Sequence, residues 1–307
     1  MGKKKDAKAA KAVEDVFSSE ESPLSVDVRT ALRARTAAGE VLSPPDVDAD
    51  GTPGFEGNKA EGRAALSARS ARLAELQELL YAAGRVDQEA APSVLVVVQG
   101  MDTAGKGGLM RTVAGAMDPQ GVRTAAFGRP TEEELEHDFL WRIEQQMPEP
   151  GQIVVFDRSH YEDVLVHRVE GLSPRAEVDR RYGAIREFEE AAVAAGTRVV
   201  KVMLHISKQE QGERLLARLE NPDKHWKYDP ADLDTRAKWD EYQQAYAIAI
   251  VETDSDRAPW YIVPADRKWY SRLAVQEILI AELEDLDLRW PASTIDAEAE
   301  KARLAAL

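Results

Sequence analysis

Residues 94–108 read VLVVVQGMDTAGKGG, and this stretch decides the fold of the chain. Its β-branched and aliphatic beginning is typical of a buried parallel strand. The glycine-rich continuation and the helix-compatible residues after it give the order strand, loop, helix that a phosphate-binding loop requires. Backbone N–H groups of such a loop turn toward one anion, and the helix N-terminus adds partial positive charge. The predicted phosphate-binding residues are Gly100, Thr103, Ala104, Gly105, Lys106, Gly107 and Gly108.

The loop departs from the usual pattern at Gly107, where such loops carry a Ser or Thr whose hydroxyl holds Mg²⁺. A metal ion at this site must therefore find other oxygen ligands, and Asp102 inside the loop is the obvious one. Without a metal between them, its carboxylate would repel the phosphates. The alternative interpretation is that Asp102 caps the following helix.

The composition sets limits on the class of protein. A chain of 307 residues can form one large domain or two small ones with a substantial core. It contains no Cys, which excludes disulfides, thiolate catalysis and Cys-ligated zinc. The net charge of −15 argues against a protein that binds nucleic acid generally. Neither a membrane span nor a secretory signal is recognisable, so we expect a soluble, cytoplasmic protein with no membrane partner.

Four further apolar segments, each separated from the next by helical patterns, are interpreted as strands. They cover residues 122–127, 151–157, 197–206 and 260–265. Together with the strand at 94–99 they predict an α/β fold, a three-layer α/β/α sandwich around a mostly parallel sheet of about five strands.

The composition also divides the chain into three parts. Residues 1–58 have a basic start and Pro- and Gly-rich turns, which predict a mostly disordered tail and linker. The basic residues at the start are Lys3, Lys4, Lys5, Lys8 and Lys11. Residues 59–290 are predicted to form the catalytic domain, which opens with a leucine-patterned helix at 59–83 that Gly84 ends. Residues 291–307 are interpreted as a charged, alanine-rich C-terminal tail.

The strand at 151–157 ends in Asp157, the position at which phosphate-loop enzymes place a second metal-binding carboxylate. An Asp at a strand end is also a common helix cap, and its pairing with the loop at Lys106 is what favours function. Arg158 follows directly, and its planar guanidinium fork matches phosphate oxygens. Because ligands bind beyond the carboxyl ends of parallel strands, we predict that Asp102, Lys106 and this Asp-Arg pair meet there.

A lid is predicted at about residues 207–235. Arg214 and Arg218 lie four residues apart, hence on one helix face, and residues 223–228 interleave cations with aromatic side chains. In nucleotide kinases such a segment closes over phosphates and excludes water. The alternative is that the two arginines pair with Glu210 or Glu213 on the same helix.

Four segments together resemble the polyphosphate kinase 2 family. They are the loop Gly-x-Asp-x-x-Gly-Lys-Gly-Gly at 100–108, the Phe-Asp-Arg-Ser-His-Tyr run at 156–161, the pair Arg214 and Arg218, and the basic segment around Trp226-Lys227. The likeness spans about residues 60–290, and the loop is its specific part, because Asp replaces a neutral residue and Gly replaces the hydroxyl residue. The surrounding sequence looks like the single-domain subgroup that accepts nucleoside mono- and diphosphates.

The resemblance implies a P-loop kinase fold with a helical lid, in a homo-oligomer such as a dimer or tetramer. It implies reversible phosphate transfer from inorganic polyphosphate to nucleoside mono- and diphosphates with Mg²⁺ or Mn²⁺. By this likeness Asp102 and Asp157 hold the metal, and Lys106 and Arg158 neutralise the transferred group. Arg214 and Arg218 clamp phosphates. The remaining cations assigned to phosphate, nucleotide or polyanion binding are Arg129, Arg168, Arg175, Arg180, Arg181 and Lys227.

Two alternatives use the same residues. One is an ATP-dependent nucleoside or nucleotide kinase with the same loop and lid. The other is a non-enzymatic module that binds polyphosphate or nucleotide without transferring phosphate. The two carboxylates placed for a metal argue against the second alternative, because binding alone does not need them.

Overall fold

A single five-stranded sheet forms the centre of the computed structural model, which describes residues 19–307. Its strands are β1 (Ser93–Gln99), β2 (Val122–Ala126), β3 (Ile153–Asp157), β4 (Thr197–His205) and β5 (Trp260–Pro264). All neighbouring strands run parallel, in the order β2-β3-β1-β4-β5. The predicted parallel sheet is confirmed, with strand ends close to those expected from the sequence.

Helices pack against this sheet in two groups. In chain order α1 to α12 are Val28–Leu32, Lys59–Val86, Lys106–Thr112, Glu132–Leu135, Trp141–Glu144, Glu162–Val169, Arg175–Ala194, Lys208–Glu220, Ala231–Ala237, Trp239–Thr253, Lys268–Glu284 and Ala297–Ala305. Helices α2 and α3 both contact α11, and α6, α7 and α10 contact one another, which agrees with the predicted three-layer α/β/α sandwich. Within residues 19–307 no helix is both long and apolar enough to cross a membrane.

Strand β1 occupies the middle of the sheet, and all seven of its residues are buried. It pairs with β3 on one side and β4 on the other, and helices cover both faces, so every side chain must be apolar or satisfied internally. In this register Val98 lies opposite Asp157. The loops that follow β1 and β3 therefore leave the sheet side by side at its carboxyl edge, where the predicted phosphate site lies.

Residues 19–58 differ from the disordered linker expected from their Pro and Gly content. Val28, Leu32 and Phe55 are buried in the main core, and the Ala34 N–H donates to the carbonyl of Trp260 at 2.8 Å. The physical reason is that the apolar side chains spaced along this segment cover α11 and β5, while the Pro and Gly clusters form the turns between them. The basic tail expected at the start of the chain lies in residues 1–18, outside the described residues.

Gly84 does not end helix α2, contrary to expectation, because the helix continues to Val86. Instead Gly84 lies where the helix crosses the turn before β3. A Cβ at this position would come within 2.5 Å of the Pro150 carbonyl oxygen and 2.6 Å of the Gly151 Cα. The glycine is therefore explained by close backbone approach rather than by helix termination.

Replacement of Gly84 by Ala is expected to destabilise the protein by about 1–3 kcal/mol, because the new methyl group meets backbone that cannot swing aside. The matched control is Gly183→Ala in helix α7, where the nearest atom to a Cβ is the Arg186 Nη2 at 3.8 Å. That control should be neutral or stabilising, because Ala is the better helix former. Thermal unfolding of both variants measures the difference, and equal midpoints would contradict the packing argument.

The C-terminal tail contains helix α12, whose residues are all exposed. Asp296 caps it by accepting from the N–H groups of Glu298 and Ala299. Charged and alanine residues favour a helix locally but offer no apolar face to bury, so this helix adds nothing to the core.

Candidate functional site

The loop between β1 and α3 has the backbone shape of a phosphate-binding loop. Gly100, Thr103 and Gly105 all adopt positive φ angles, of 151°, 66° and 119°. A Cβ on Gly100 would lie 2.8 Å from the carbonyl oxygen of Leu204 in β4, so only glycine allows this close approach. These turns bring the chain from the end of β1 directly to the first residue of α3, Lys106.

Lys106 lies at the mouth of this loop. Its Nζ donates to the Gly100 carbonyl oxygen at 2.6 Å, so the side chain folds back across the loop. Burial lowers the pKa of the ammonium group, and the charge of Arg158 lowers it further. The carboxylates of Asp102 and Asp157 oppose both effects, which shows that all these charges are within electrostatic reach. A phosphate entering the loop would offer Lys106 the strong anionic partner that a carbonyl cannot.

Asp102 and Arg158 come together although 56 residues separate them. The Arg158 Nη2 lies 3.4 Å from the Asp102 Oδ1. Arg158 itself has a positive φ of 66°, a conformation that costs energy for a non-glycine residue and that turns its side chain back toward the loop. Burial opposes its charge, but Glu162 and Asp102 outweigh burial and raise the pKa of the guanidinium. Asp102 does not cap α3, since the N-cap is Gly105 and no side chain bonds there.

Asp157 ends β3 beside this pair, opposite Val98 of β1 and Ala126 of β2. Its carboxylate has no hydrogen bond or ion pair to any residue in 19–307, and it does not cap the next helix, whose N-cap is Tyr161. Both capping alternatives from the sequence are thus unsupported.

No group of three or more His, Cys, Asp and Glu within residues 19–307 is arranged to hold a metal ion. Mg²⁺ in phosphoryl-transfer sites usually takes only one or two carboxylates and completes its shell with water and substrate phosphates. Asp102 and Asp157 at the same sheet edge fit that requirement. Their oxygens are the hard ligands that such a cation prefers.

Glu162 belongs to the site although the sequence interpretation did not assign it. The amide of Gln99, oriented so that its oxygen accepts from the Ser159 N–H at 3.1 Å, donates to the Glu162 Oε1 at 3.0 Å. Burial raises the pKa of the Glu162 carboxyl and Asp102 adds to the rise, whereas Arg158 opposes it. The only signal in the sequence was the position of Glu162, in the first turn of α6 just after the end of β3.

A buried polar network beneath the site holds the turn after Arg158. The Glu189 carboxylate on α7 accepts from the Tyr161 hydroxyl at 2.7 Å and from the Lys201 Nζ at 2.5 Å. Lys201, in the middle of β4, also donates to the Thr253 carbonyl at 2.7 Å. These bonds connect β4, α7 and α10 to the segment that carries Arg158, so they fix its backbone in place.

Arg214 lies against the back of the loop. Its guanidinium donates to the carbonyls of Thr103 (2.9 Å) and Ala104 (3.1 Å), and to those of Ala265 (2.7 Å) and Asp266 (2.8 Å) beyond β5. Its Nε donates to Glu210 at 2.7 Å, the i,i+4 pairing that was the alternative to a phosphate clamp. All five N–H donors are therefore used within the protein. The arginine therefore does not face a phosphate site as a clamp would. It connects the phosphate loop to the end of β5, and we call this role a tie.

Arg214→Ala is expected to destabilise the protein by about 2–4 kcal/mol, because four partly buried carbonyls lose their donors. Arg214→Lys serves as the matched variant, since it keeps the charge but loses the planar fork. If Arg214 acts as a tie, thermal unfolding will show both variants to be destabilised. Full recovery of stability and activity by Lys would instead indicate a point charge that contacts phosphate.

Arg218 joins parts of the predicted lid to one another. Its Nη1 donates to the Lys227 carbonyl at 2.9 Å and to the Asp232 Oδ2 at 3.1 Å. The side chain of Trp226 is 79% exposed, and the Lys227 ammonium lies 4.8 Å from the centre of its ring. Besides Arg214, the lid contacts the loop through Gln211, whose side chain donates to the Asp102 carbonyl at 3.4 Å. The segment that carries Trp226 and Lys227 is thus joined through Arg218 to the same helix, α8, whose Gln211 contacts the phosphate loop.

The other arginines expected to line a polyphosphate groove form ion pairs with acidic residues of helix α7. Helical spacing sets them beside acidic residues of the same two helices, α6 and α7. The ion pairs are Arg168–Asp179 (3.7 Å), Arg175–Asp179 (3.1 Å), Arg180–Glu177 (2.8 Å) and Arg181–Glu177 (3.0 Å). No contact in residues 19–307 joins any of these four arginines to the loop. Arg129 is exposed three residues beyond the end of β2, on the carboxyl side of the sheet.

Three features together define a P-loop phosphotransferase. They are the parallel sheet, the glycine loop with Lys106 at the end of the central strand β1, and the Asp157-Arg158 turn at the end of the neighbouring strand β3. The polyphosphate kinase 2 family model matches residues 56–290, and the chain belongs to that family. The resemblance inferred from the motifs is thereby confirmed, together with the assignment as a phosphotransferase enzyme.

Individual relatives agree with this assignment. The chain is 49% identical to an AMP/ADP-polyphosphate phosphotransferase from Meiothermus ruber over 80% of this chain and 89% of that protein. It is 43% identical to an ADP-polyphosphate phosphotransferase from Rhodopseudomonas palustris over 73% of this chain and 79% of that protein. The crystal structure of polyphosphate kinase 2 from Arthrobacter aurescens TC1 matches with a TM-score of 0.88 and 50% identity, covering 92% of this chain and 98% of the other.

Proposed function

We propose that this protein transfers the terminal phosphate of inorganic polyphosphate to nucleoside diphosphates and monophosphates, converting ADP to ATP and AMP to ADP, reversibly. The proposal is supported by the family and by relatives named for transfer between polyphosphate and AMP or ADP. The observation that carries it is the meeting of Asp102, Lys106, Asp157 and Arg158 at one edge of the sheet.

In this reaction a nucleotide phosphate oxygen attacks the terminal phosphorus of polyphosphate in line with the bond that breaks. The loop N–H groups and Lys106 bind the phosphates that flank that bond. Arg158, held against Asp102 in the free protein, can turn its guanidinium toward the transferred group and neutralise the charge that develops on it. Catalysis then consists of positioning and charge stabilisation, without a covalent intermediate on the protein.

We assign Mg²⁺, or Mn²⁺ in its place, to Asp102 and Asp157. When bound, such an ion withdraws electron density from phosphate oxygens and neutralises their charge. The free carboxylate of Asp157 and the exchangeable ion pair of Asp102 leave both groups available to bind it. Asp102 would then hold the ion in place of its ion pair with Arg158.

The experiment that tests the proposal supplies ADP, AMP, GDP and GMP separately with polyphosphate and Mg²⁺, and identifies products by anion-exchange chromatography. We expect ATP from ADP and ADP from AMP, with no product when polyphosphate is omitted. Product formed only when ATP replaces polyphosphate would indicate an ATP-dependent kinase. Tight polyphosphate binding without any nucleotide product would indicate a module that binds without transfer.

Three further assignments accompany this proposal. We assign residues 59–290 to the catalytic domain, with the lid at about 207–235. A homo-oligomer, dimer or tetramer, is proposed as the working form, which light scattering on the purified chain measures directly. Cytoplasmic localisation is proposed because both substrates, polyphosphate and nucleotides, are soluble anions.

A further inference from the structure

An ion pair lies buried in the core beneath the carboxyl edge of the sheet. Glu189 on α7 and Lys201 on β4 are only 2% and 0% exposed, and the Lys201 Nζ lies 2.5 Å from the Glu189 Oε2. The nearby acids Glu187 and Glu190 are exposed, as is typical of a solvated helix face, whereas Glu189 lies on the buried face of α7. We call these two residues the Glu189–Lys201 pair.

The stability of the fold does not account for this pair. Taking two charges out of water costs free energy that their attraction often fails to return, and apolar residues of similar volume commonly fill a core equally well. Val200 and Val202, on either side of Lys201 in β4, are both fully buried, so this part of the strand is otherwise apolar. The reason for the pair must therefore lie in the groups that it binds.

The pair binds the turn that follows Arg158. The Glu189 Oε1 accepts from the Tyr161 hydroxyl at 2.7 Å, and the His160 Nε2 lies 3.3 Å from the same oxygen. Both His160 and Tyr161 are 0% exposed. Lys201 fixes the carboxylate that holds them. Hydrogen bonds to a fixed carboxylate orient the two side chains, which apolar packing alone does not do because hydrophobic contacts have no preferred direction.

Arg158 needs such support because its backbone is strained. Its φ of 66° lies in the left-handed region, and a residue with a Cβ stays there only where the surroundings impose it. Its N–H donates to the Val98 carbonyl at 3.1 Å. Its side chain is 43% exposed, and within residues 19–307 that side chain contacts a polar group only at Asp102, 3.4 Å away. These two contacts are too few to impose the strained conformation, so the buried turn after Arg158 must supply the rest.

We propose that the Glu189–Lys201 pair is a positioning pair for the phosphate-transfer step. By holding the turn, it keeps Arg158 at positive φ with its guanidinium directed toward the transferred group. This inference rests on the proposed function and gives both buried residues a part in the rate of transfer, although neither touches a substrate. The phosphates themselves are held by the loop and Lys106, which belong to β1 and α3. The pair therefore affects kcat and leaves KM unchanged.

The test removes both charges together, because the loss of one would leave the other buried without compensation and could prevent folding. In Glu189→Leu/Lys201→Met the core keeps nearly its volume, and the Tyr161 hydroxyl keeps the Thr253 Oγ1 as a partner at 2.9 Å. Tyr161→Phe is the milder variant. It leaves the ion pair intact and removes only the hydroxyl through which Glu189 holds the turn.

The matched control is Arg69→Met/Glu277→Leu, which removes a similarly buried ion pair between α2 and α11, in the other helical layer. For each protein, kcat and KM are measured with ADP and polyphosphate. Hydrogen–deuterium exchange of residues 157–165 is followed by mass spectrometry in parallel, because exchange reports the opening of the turn whether or not the protein is active.

For Glu189→Leu/Lys201→Met we expect kcat to fall about thirtyfold, somewhat less than the roughly hundredfold cost of a misplacement of about 1 Å. Tyr161→Phe should lower kcat about fivefold, the effect of losing one hydrogen bond. Both variants should keep the wild-type KM for ADP and for polyphosphate. The amides of the turn should exchange about tenfold faster in the pair variant. The control should match the wild type in all these measurements.

A double-mutant cycle with Arg158→Ala distinguishes positioning from a general structural effect. In the Arg158→Ala background, removal of the pair should lower kcat no further, because no guanidinium is left to position. An equal fold-loss of kcat in both backgrounds would overturn the proposal. So would a folded pair variant that keeps the wild-type kcat.

If the pair variant does not fold, Tyr161→Phe decides the matter in the same cycle, and wild-type kcat in that variant would overturn the proposal. A wild type that transfers no phosphate would contradict the proposed function instead. Exchange then tests the pair by itself: faster exchange in the variants would support its hold on the turn that carries Arg158, and unchanged exchange would overturn it.

Discussion

Lys106→Ala is expected to lower kcat for phosphate transfer by about a thousandfold, the loss typical of removing a group that stabilises transition-state charge in a closed site. Lys106 is the only cation that starts α3, and its Nζ already lies within the loop, 2.6 Å from the Gly100 carbonyl. Arg214 cannot replace it, since that side chain uses all its donors behind the loop. The measurement is the steady-state rate of ATP formation from ADP and polyphosphate.

The fold should survive this substitution. Burial disfavours the charged form of Lys106, so its removal relieves a desolvation cost while losing the hydrogen bonds to the Gly100 and Met101 carbonyls. We expect the thermal midpoint to change by no more than about 4 °C. The matched control is Lys59→Ala, at the exposed start of α2, which should retain wild-type activity and stability. Near-normal turnover by Lys106→Ala would exclude the mechanism proposed here.

The elements that local sequence determines were predictable. Strand β1 was recognisable because a short apolar run indicates a buried strand. Its loop was recognisable because glycines mark positions where the backbone adopts positive φ angles. The meeting of Asp102 with Arg158 followed from one topological rule, that parallel strands end at a common edge. That rule needed no knowledge of side-chain packing, so the central geometry of the site agrees with the sequence-based expectation.

The elements that depend on distant contacts were not predictable. Four of the five hydrogen-bond partners of Arg214 are carbonyls more than 50 residues away along the chain. No local sequence pattern distinguishes such a structural tie from a phosphate clamp. The order of residues 19–58 arises from burial against α11, which composition alone does not reveal. The burial of Glu189 between exposed acids becomes recognisable only when the neighbouring strand with Lys201 is in place.

Asp157→Ala is expected to lower kcat by about a hundredfold and to raise the Mg²⁺ concentration that gives half the maximal rate. The reason is the isolation of this carboxylate: within residues 19–307 it has neither a hydrogen bond nor an ion pair, although it lies at the end of β3 between β1 and β2. A group left without a partner at that position is placed for a ligand rather than for the fold. Titration of activity against Mg²⁺ and then Mn²⁺ measures the effect.

The thermal midpoint of the Asp157→Ala variant distinguishes a metal-binding role of Asp157 from a structural role. Because Asp157 has no partner to lose, the variant should unfold at the wild-type midpoint. Loss of a carboxylate that stabilises the fold would lower the midpoint. Asp256→Ala provides the matched control, since this exposed carboxylate pairs only with Arg33, at 3.2 Å, near the amino ends of the strands. Its Mg²⁺ dependence should be that of the wild type. If Asp157→Ala instead kept its Mg²⁺ dependence and lost stability, the carboxylate would belong to the scaffold, and Asp102 alone would remain as the metal ligand.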